Sequence, residues 1–245
     1  MKVASGVEMI ELKIAAMGNE VVLNPTLVWD NDMSILIDTG IPGQLEAIKE
    51  AMDKTPVSFN TLGAIILTHQ DIDHIGSAPQ LLKESNKDIM VYAHKEDQPY
   101  IEGDLPLIKT DTSRMSQQEL EALPNEVRYL YNNPPKIEIN KLLEDGQKLP
   151  YCGGIEVIYT PGHSPGHVSL YLKQTKTLIA GDAMVKMNNQ LHGPVKQTTL
   201  DLTIAIKSLE KFLDYDIENV ICYHGGLFKG DPRPYILNIL KEELV

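Results

Sequence analysis

Positive charge is scarce in this 245-residue chain, in which 22 Lys and Arg face 34 Asp and Glu, for a net charge of −12. Nucleic-acid backbones and anionic membrane surfaces reward clustered basic side chains, so the composition disfavours both as partners. No apolar run in the sequence approaches the length of a membrane span. Residues 1–13 carry scattered charges and no apolar core, so we expect no secretory signal.

Cysteine is also scarce, since the chain has only Cys152 and Cys222, far apart and without a paired metal-binding spacing. We expect both to be reduced thiols in a cytoplasmic protein. An apolar content of 42% over this length is enough for one large globular core. The chain is therefore interpreted as a single domain over 1–245.

The most informative stretch is Ala64–Ser77, which reads AIILTHQDIDHIGS. Its apolar start predicts a buried strand, and Ser77 is a candidate helix N-cap. Two histidines and two aspartates follow that strand within six residues, namely His69, Asp71, Asp73 and His74. Imidazoles and carboxylates at the end of a buried strand need metal or tight hydrogen bonding to offset their desolvation. A solvated acidic loop is the alternative.

Three later strands end in the same way, at a single His or Asp beside glycine. These residues are His163, Asp182 and His224. Strand ends on one edge of a sheet converge, so the three side chains can join the first cluster. Four imidazoles and three carboxylates fit two metal ions that share a carboxylate, and the ligand types suit Zn, Fe or Mn.

The order of elements is strands then helices, twice, which predicts a sandwich of sheets between helical layers. The N-terminal strands are expected to form an antiparallel meander. The main predicted elements are strands at Val7–Ala15, Asn19–Asp30 and Met33–Asp38 and helices at Gln44–Lys54, Ala78–Glu84, Leu200–Leu213 and Tyr235–Leu244.

Residues 98–140 interrupt this order with several prolines and short polar helical pieces. The segment has too few apolar residues for a core of its own, so we interpret it as an insertion that covers the site. Tyr129 and Tyr131 are residues of this segment that could line a pocket.

These motifs resemble the metallo-β-lactamase superfamily, whose signature is a His-x-His-x-Asp-His run followed by a His, an Asp and a final His. The match also includes Asp38-Thr39-Gly40, the segment Thr160–His167 and His224-Gly225-Gly226. The resemblance spans almost the whole chain and implies an α/β (α+β) fold, the four-layer αββα sandwich, with the site along one edge of the sheets.

One residue departs from the family signature, because Asp71 stands at the position of the second histidine. The resemblance implies that His69, Asp71 and His163 hold a first metal. It implies that Asp73, His74 and His224 hold a second, with Asp182 bridging. Zn is the expected metal, with Fe or Mn as alternatives, since an aspartate is a harder, anionic ligand. In the remaining alternative, Asp71 does not ligate and one metal binds tightly.

Three further residues have expected roles around this centre. Asp38 ends a strand and is expected to support the ligands or to contact substrate. His167 is expected to support the ligands or the structure, and His192 either touches substrate or is an exposed loop residue. Asp73 and Asp182 are the candidates that orient the nucleophile and move its proton.

The family implies a hydrolase in which a metal-bound hydroxide, with its pKa lowered to ~7, attacks an acyl carbon. The chain length and the insertion fit a small ester, lactone or thioester as the substrate. They are also compatible with a homodimer. Two alternatives stay open: a di-iron redox protein like the flavodiiron branch, and a catalytically inactive binding protein.

Overall fold

The computed structural model describes residues 1–16 and 19–243. The strands of the first half are β1 (Lys2–Ala4), β2 (Val7–Met9), β3 (Leu12–Ala16), β4 (Asn19–Leu23), β5 (Thr26–Trp29), β6 (Ser34–Ile37), β7 (Leu62–Ile66), β8 (Met90–His94) and β9 (Lys141–Leu143). Those of the second half are β10 (Lys148–Leu149), β11 (Ile155–Tyr159), β12 (Val168–Leu172), β13 (Thr177–Gly181), β14 (Val185–Met187), β15 (Gln190–His192), β16 (Asn219–Cys222) and β17 (Gly226–Lys229).

The α-helices are α1 (Leu45–Asp53), α2 (Ile72–Ile75), α3 (Ala78–Glu84), α4 (Gln98–Ile101), α5 (Gln117–Ala122), α6 (Asn125–Asn132), α7 (Leu202–Ser208) and α8 (Arg233–Glu243). Single 3-10 turns lie at Phe59–Thr61, Ile108–Thr110, Thr112–Arg114, Lys173–Thr175, Lys196–Thr198 and Leu209–Asp214. Among the described residues, no helix is both long enough and apolar enough to cross a bilayer.

Two sheets form the centre of the molecule. The first has the strand order β1-β2-β5-β6-β7-β8-β9, and the second has the order β10-β11-β12-β13-β16-β17. Strands β6 to β9 run parallel to one another, as do β13 and β16. Parallel neighbours require crossover segments, and α1 to α3 and α7 supply helices for them.

Alternation along the strands separates three hydrophobic cores. In β6, Ile35 and Ile37 face the second sheet, while Leu36 faces the core that contains Ile48 of α1. In β13, Ile179 faces the first sheet, while Leu178 packs in a third core with the helices of the C-terminal half. Successive strand residues point to opposite faces, so each sheet is buried on both sides. The expected αββα sandwich is confirmed.

The N-terminal meander is only partly as predicted. The segment expected as one strand, Val7–Ala15, is divided into β2 and β3, and Asn19–Asp30 is divided into β4 and β5. Strands β3 and β4 pair with each other in a separate hairpin, whereas β2 pairs with β5. The chain leaves the sheet at Ile10, whose amide donates to the carbonyl of Pro25 at 2.8 Å, and the hairpin projects from there.

Several helix boundaries also differ from the predicted ones. The predicted helix Leu200–Leu213 begins later, because the Asp201 side chain caps α7 by accepting from the Ile204 amide, and its last part is the 3-10 turn Leu209–Asp214. Ser77 stands at the N-cap of α3 without capping it, since its hydroxyl donates to the Ile41 carbonyl. The predicted end of the last helix, Leu244, lies outside the described residues.

The turn between β16 and β17 gives a stability prediction. Gly225 has φ +101°, and a Cβ atom there would lie 1.9 Å from the Lys186 carbonyl oxygen. Gly225→Ala is expected to lower the free energy of unfolding by more than the ~1–2 kcal/mol of the backbone penalty alone. Urea unfolding measures the change. Gly146→Ala is the control, because Gly146 has φ +72° and nothing within 4 Å of such a Cβ. Equal losses in both variants would contradict the proposed clash.

Candidate metal centre

The ends of the central strands deliver polar side chains to one edge of the sandwich. Asp38 follows β6, the segment from Thr68 to His74 follows β7, Asp182 follows β13, and His224 closely follows β16. The loop between β11 and β12 adds His163 from the second sheet. The sequence-predicted residues thus lie in one group, namely His69, Asp71, Asp73, His74, His163, Asp182 and His224. Three overlapping sets of three within it could hold a metal: the two expected half-sites, and the set His69, His74 and Asp182.

The first half-site consists of His69, Asp71 and His163, whose ligand atoms all lie within 4.8 Å of one another. The Asp71 Oδ2 atom is 3.1 Å from His69 Nε2 and 3.1 Å from His163 Nε2. His163 is oriented from its other side, because its Nδ1 lies 3.2 Å from the Thr199 hydroxyl. Asp71 is therefore placed where a ligand would be needed, although it is not a histidine.

The second half-site consists of Asp73, His74 and His224. The Asp73 Oδ2 atom is 3.9 Å from His74 Nε2 and 3.4 Å from His224 Nε2. Asp73 and His74 are adjacent residues of α2, and His224 lies next to both of them. All three polar groups therefore converge on a common point.

Asp182 lies between the two half-sites. Its carboxylate is 3.3 Å from His163 Nε2, 3.4 Å from His74 Nε2 and 3.4 Å from His224 Nε2. Its carboxylate thus contacts members of both half-sites, which is the placement of a shared ligand.

The buried polar atoms and the donor types of the described residues fit a divalent metal. Buried polar atoms are normally hydrogen-bonded, yet His69 Nε2, His74 Nε2 and Asp182 Oδ1 are buried and make no well-aligned hydrogen bond, although Asp71 lies 3.1 Å from His69 Nε2 and Asp182 lies 3.4 Å from His74 Nε2. These orphaned atoms all face the same group of ligands. Imidazole nitrogen and carboxylate oxygen are also the donors that Zn, Fe and Mn accept.

His74 is held by a buried carboxylate behind it. Its Nδ1 lies 2.8 Å from Asp38 Oδ2, and the same carboxylate accepts from the Thr68 amide at 2.8 Å and the Thr68 hydroxyl at 2.7 Å. Asp38 adopts a left-handed backbone with φ +61°, which aims the carboxylate inward. A carboxylate behind a metal-binding histidine fixes the ring and raises its basicity. Asp38 thus lies directly behind His74, one of the candidate ligands.

His167 contacts the backbone beside Asp182. The Asp182 amide donates to His167 Nε2 at 3.0 Å, so the ring proton is on Nδ1 and faces the Thr160 hydroxyl at 2.9 Å. Burial and the neighbouring His69 and His163 keep the pKa of His167 well below its ordinary value. A neutral His167 therefore supports the strand end that carries Asp182.

The pKa values of several side chains in the group are shifted strongly from their ordinary values. Burial alone would raise the pKa values of Asp71 and Asp182, but surrounding cationic and imidazole groups hold both well below the ordinary value. Partial burial would lower the pKa of His224, yet Asp182 and Asp73 outweigh it and raise that pKa to about 10. The carboxylates therefore stay ionised, and a bound cation would replace the protons of His74 and His224, the two histidines whose pKa is raised by the surrounding carboxylates.

Tyr223 is a residue that the sequence argument did not select. Its ring stacks on His74 at 3.8 Å between centroids, and its hydroxyl donates to the Asp73 carbonyl and accepts from the Gly40 amide. Thr68 was also missed, although it directly precedes the motif. Lys109 was missed as well, and its Nζ lies 2.5 Å from Asp71 Oδ2. Local sequence gives no signal for Lys109, because it reaches the cluster from residues 98–140.

Other residues that were predicted to contact substrate or to line its pocket are His192, Tyr129 and Tyr131. His192, in β15, lines a cleft of about 850 Å³ against α8, and among the described residues of its lining none belongs to the seven-residue group. Tyr129 is 71% exposed, whereas Tyr131 is half-buried. Burial and the charges of Asp73 and Asp71 raise the pKa of Tyr131. The 98–140 segment contacts the cluster through Lys109.

Comparison with known proteins agrees with this geometry. The sequence model of the metallo-beta-lactamase superfamily matches residues 18–224. The chain is 32% identical over 205 residues to the probable metallo-hydrolase YflN of Bacillus subtilis (strain 168), covering 78% of this chain and 75% of that protein. It is 26% identical to hydroxyacylglutathione hydrolase GloC of Haemophilus influenzae, covering 66% of each chain.

A solved structure shows the same fold at lower identity. The metallo-beta-lactamase family protein TTHA1429 of Thermus thermophilus superposes with a TM-score of 0.73 at 20% identity, covering 98% of this chain and 80% of that one. The chain belongs to the metallo-β-lactamase superfamily and is a metallo-hydrolase of that class.

Proposed function

We propose that this chain hydrolyses a small ester, lactone or thioester with the help of divalent metal held by the seven-residue group. The observation that carries the proposal is the convergence of four imidazoles and three carboxylates, in which His69 Nε2, His74 Nε2 and Asp182 Oδ1 are buried without a well-aligned hydrogen bond. A divalent ion held there supplies a Lewis acid and lowers the pKa of water to ~7.

The protein's own residues supply orientation and proton transfer. Asp73 and Asp182 keep low pKa values, because the imidazoles around them outweigh the effect of burial. Both therefore stay ionised, so each can accept a hydrogen bond from the attacking water and orient it. Asp73 is the more accessible of the two, with 33% of its side chain exposed against 9% for Asp182. Asp73 is accordingly proposed as the group that passes the proton to solvent.

The shape of the surface beside His224 supports a small substrate. A cleft of about 860 Å³ opens there between the β3–β4 hairpin and the β16–β17 turn, within the ~300–1,000 Å³ typical of small-molecule sites. Apolar side chains such as Met9, Val21 and Leu227 line it together with Lys186 and Glu11. A mixed lining of this kind suits a compound with an apolar part and a polar carbonyl group.

The relative GloC supports the acyl class, because its name gives hydroxyacylglutathione as the compound that it hydrolyses. At 26% identity, this similarity supports the type of bond that is hydrolysed but does not identify the compound. We therefore propose carbonyl carbon as the electrophile and leave the acyl and leaving groups open.

A substrate panel tests the proposal. Purified enzyme loaded with Zn, Fe or Mn is offered an acyl lactone, an aryl ester, an acyl thioester and an aryl phosphodiester, with Asp182→Ala as the inactive control. Turnover of at least one carbonyl compound is expected. Cleavage of the phosphodiester alone would replace the acyl assignment. Oxygen consumption by iron-loaded enzyme without any hydrolysis would favour the redox alternative.

A further inference from the structure

The side chain of Lys109 enters the first half-site. Its Nζ atom lies 2.5 Å from Asp71 Oδ2 and 2.7 Å from His163 Nε2. The lysine side chain is 18% exposed, so the ammonium is largely removed from solvent. Lys109 therefore contacts two of the three residues that the family resemblance assigns to the first metal.

A buried polar network fixes the backbone next to Lys109. The Ile108 amide donates to Gln70 Oε1 at 2.9 Å, and the fully buried carboxylate of Asp97 accepts from both the backbone amide and the side-chain amide of Gln70 at 3.0 and 2.9 Å. Leu107, two residues before Lys109, is buried in the first core. The 3-10 turn that carries Lys109 is therefore anchored on both its polar and its apolar side.

The same carboxylate also anchors the loop of His163. Asp97 accepts from the Ser164 hydroxyl at 2.7 Å and from the Gly166 amide at 2.8 Å. One buried group thus sets the position of Lys109 relative to His163. Lys109 therefore differs from an exposed surface lysine, because movement of its backbone would break these buried hydrogen bonds.

The charges of Asp71 and Lys109 balance each other. Asp71 adds a negative charge where the family signature has a neutral imidazole, and Lys109 adds a positive charge in direct contact with it. The two changes cancel, so the first half-site carries its own cation. A divalent ion bound to His163 at the usual ~2.0–2.1 Å would lie against the Lys109 ammonium and be repelled by it.

We propose that Lys109 is an internal cation that takes the place of the first metal ion, so that the chain binds one divalent ion tightly, at Asp73, His74, His224 and Asp182. A second ion binds only when the lysine withdraws. This inference rests on the proposed metal site and specifies its loading.

Metal stoichiometry tests the inference without reference to turnover. Wild type, Lys109→Met and the control Lys136→Met are stripped, incubated with Zn and dialysed, and bound Zn is measured by elemental analysis. Lys136 belongs to the same 98–140 segment but is exposed and bonds only weakly, to the Gly103 carbonyl at 3.5 Å. About one ion is expected in wild type and in Lys136→Met, and about two in Lys109→Met.

Affinity gives a second readout. Competition with a chelator is expected to show the second ion bound at least ~10-fold more tightly in Lys109→Met than in wild type, the size of effect that groups around a metal commonly have. Lys109→Gln is measured in parallel, and circular dichroism checks that both variants are folded. Tight binding of two ions by wild type, with the same affinities in Lys109→Met and Lys109→Gln, would overturn the inference and leave the proposed function standing. No bound ion in any variant would overturn both.

Discussion

Asp182→Ala is expected to abolish measurable hydrolysis and to lower metal affinity by more than the ~10- to 100-fold that loss of a supporting residue costs. The physical reason is that Asp182 contacts His163, His74 and His224, so its carboxylate serves both half-sites. Without it the three imidazoles keep their positions but lose the negative charge at their centre. Chelator competition and initial rates on any substrate found by the panel measure the two effects.

The matched control is Asp214→Ala, which removes an aspartate that is exposed at the end of the 3-10 turn Leu209–Asp214. It has the same change of charge and is expected to leave metal affinity and rate unchanged. Metal affinity that falls equally in both variants would mean that overall charge, and not the shared ligand, controls binding.

Asp38→Ala is expected to destabilise the fold by about 3–5 kcal/mol, the usual cost of breaking a buried charged pair from one side. Asp38 is 1% exposed, and its carboxylate bonds His74 and both the amide and hydroxyl of Thr68. Alanine also tolerates the φ of +61° poorly. Denaturant unfolding of the metal-free protein gives the free-energy change.

Asp38→Asn separates the two contributions to this loss. Asparagine accepts the left-handed backbone and keeps one acceptor oxygen, so the loss of stability is expected to be smaller than for alanine. Metal affinity is still expected to fall ~10- to 100-fold, because the group behind His74 is no longer a carboxylate. Unchanged affinity in Asp38→Asn would show that the charge of Asp38 does not support the metal.

The sandwich was predictable because its strands carry clear apolar runs that end in polar residues. The run before His69 and the Gly181-Asp182 pair each mark a strand end, and parallel strand ends must meet at one edge. The seven residues of the metal centre were named on that basis and lie together. What each of them does in binding and catalysis stays a prediction until metal and turnover are measured.

The parts that local pattern could not give depend on tertiary contacts. The exit of the chain at Ile10 depends on a hydrogen bond to Pro25, so no periodicity in residues 7–15 separates β2 from β3. The position of Lys109 depends on Gln70 and Asp97, which are distant in sequence and become neighbours only in the fold. The stacking of Tyr223 on His74 likewise joins residues that are 149 positions apart (223 − 74).

The burial of four apolar residues of the 98–140 segment was not predicted. Its residues Ile101, Leu107, Ile137 and Ile139 are buried in the first core, so the segment shares a core with the sheet instead of lying over it. Prolines and acidic helical pieces concealed this, because the buried residues are spaced too irregularly to give a helical or strand period. That the segment covers the substrate stays a prediction.

The most direct measurement is hydrolysis before and after removal of metal. Enzyme active on one compound of the panel is stripped with a chelator, dialysed and titrated with Zn while bound metal and initial rate are recorded together. Removal of metal is expected to abolish turnover, and the initial rate is expected to return in proportion to bound ion, whereas Asp182→Ala is expected to recover no activity. Full turnover by the stripped enzyme would contradict the assignment of this centre as a metal-dependent hydrolase site.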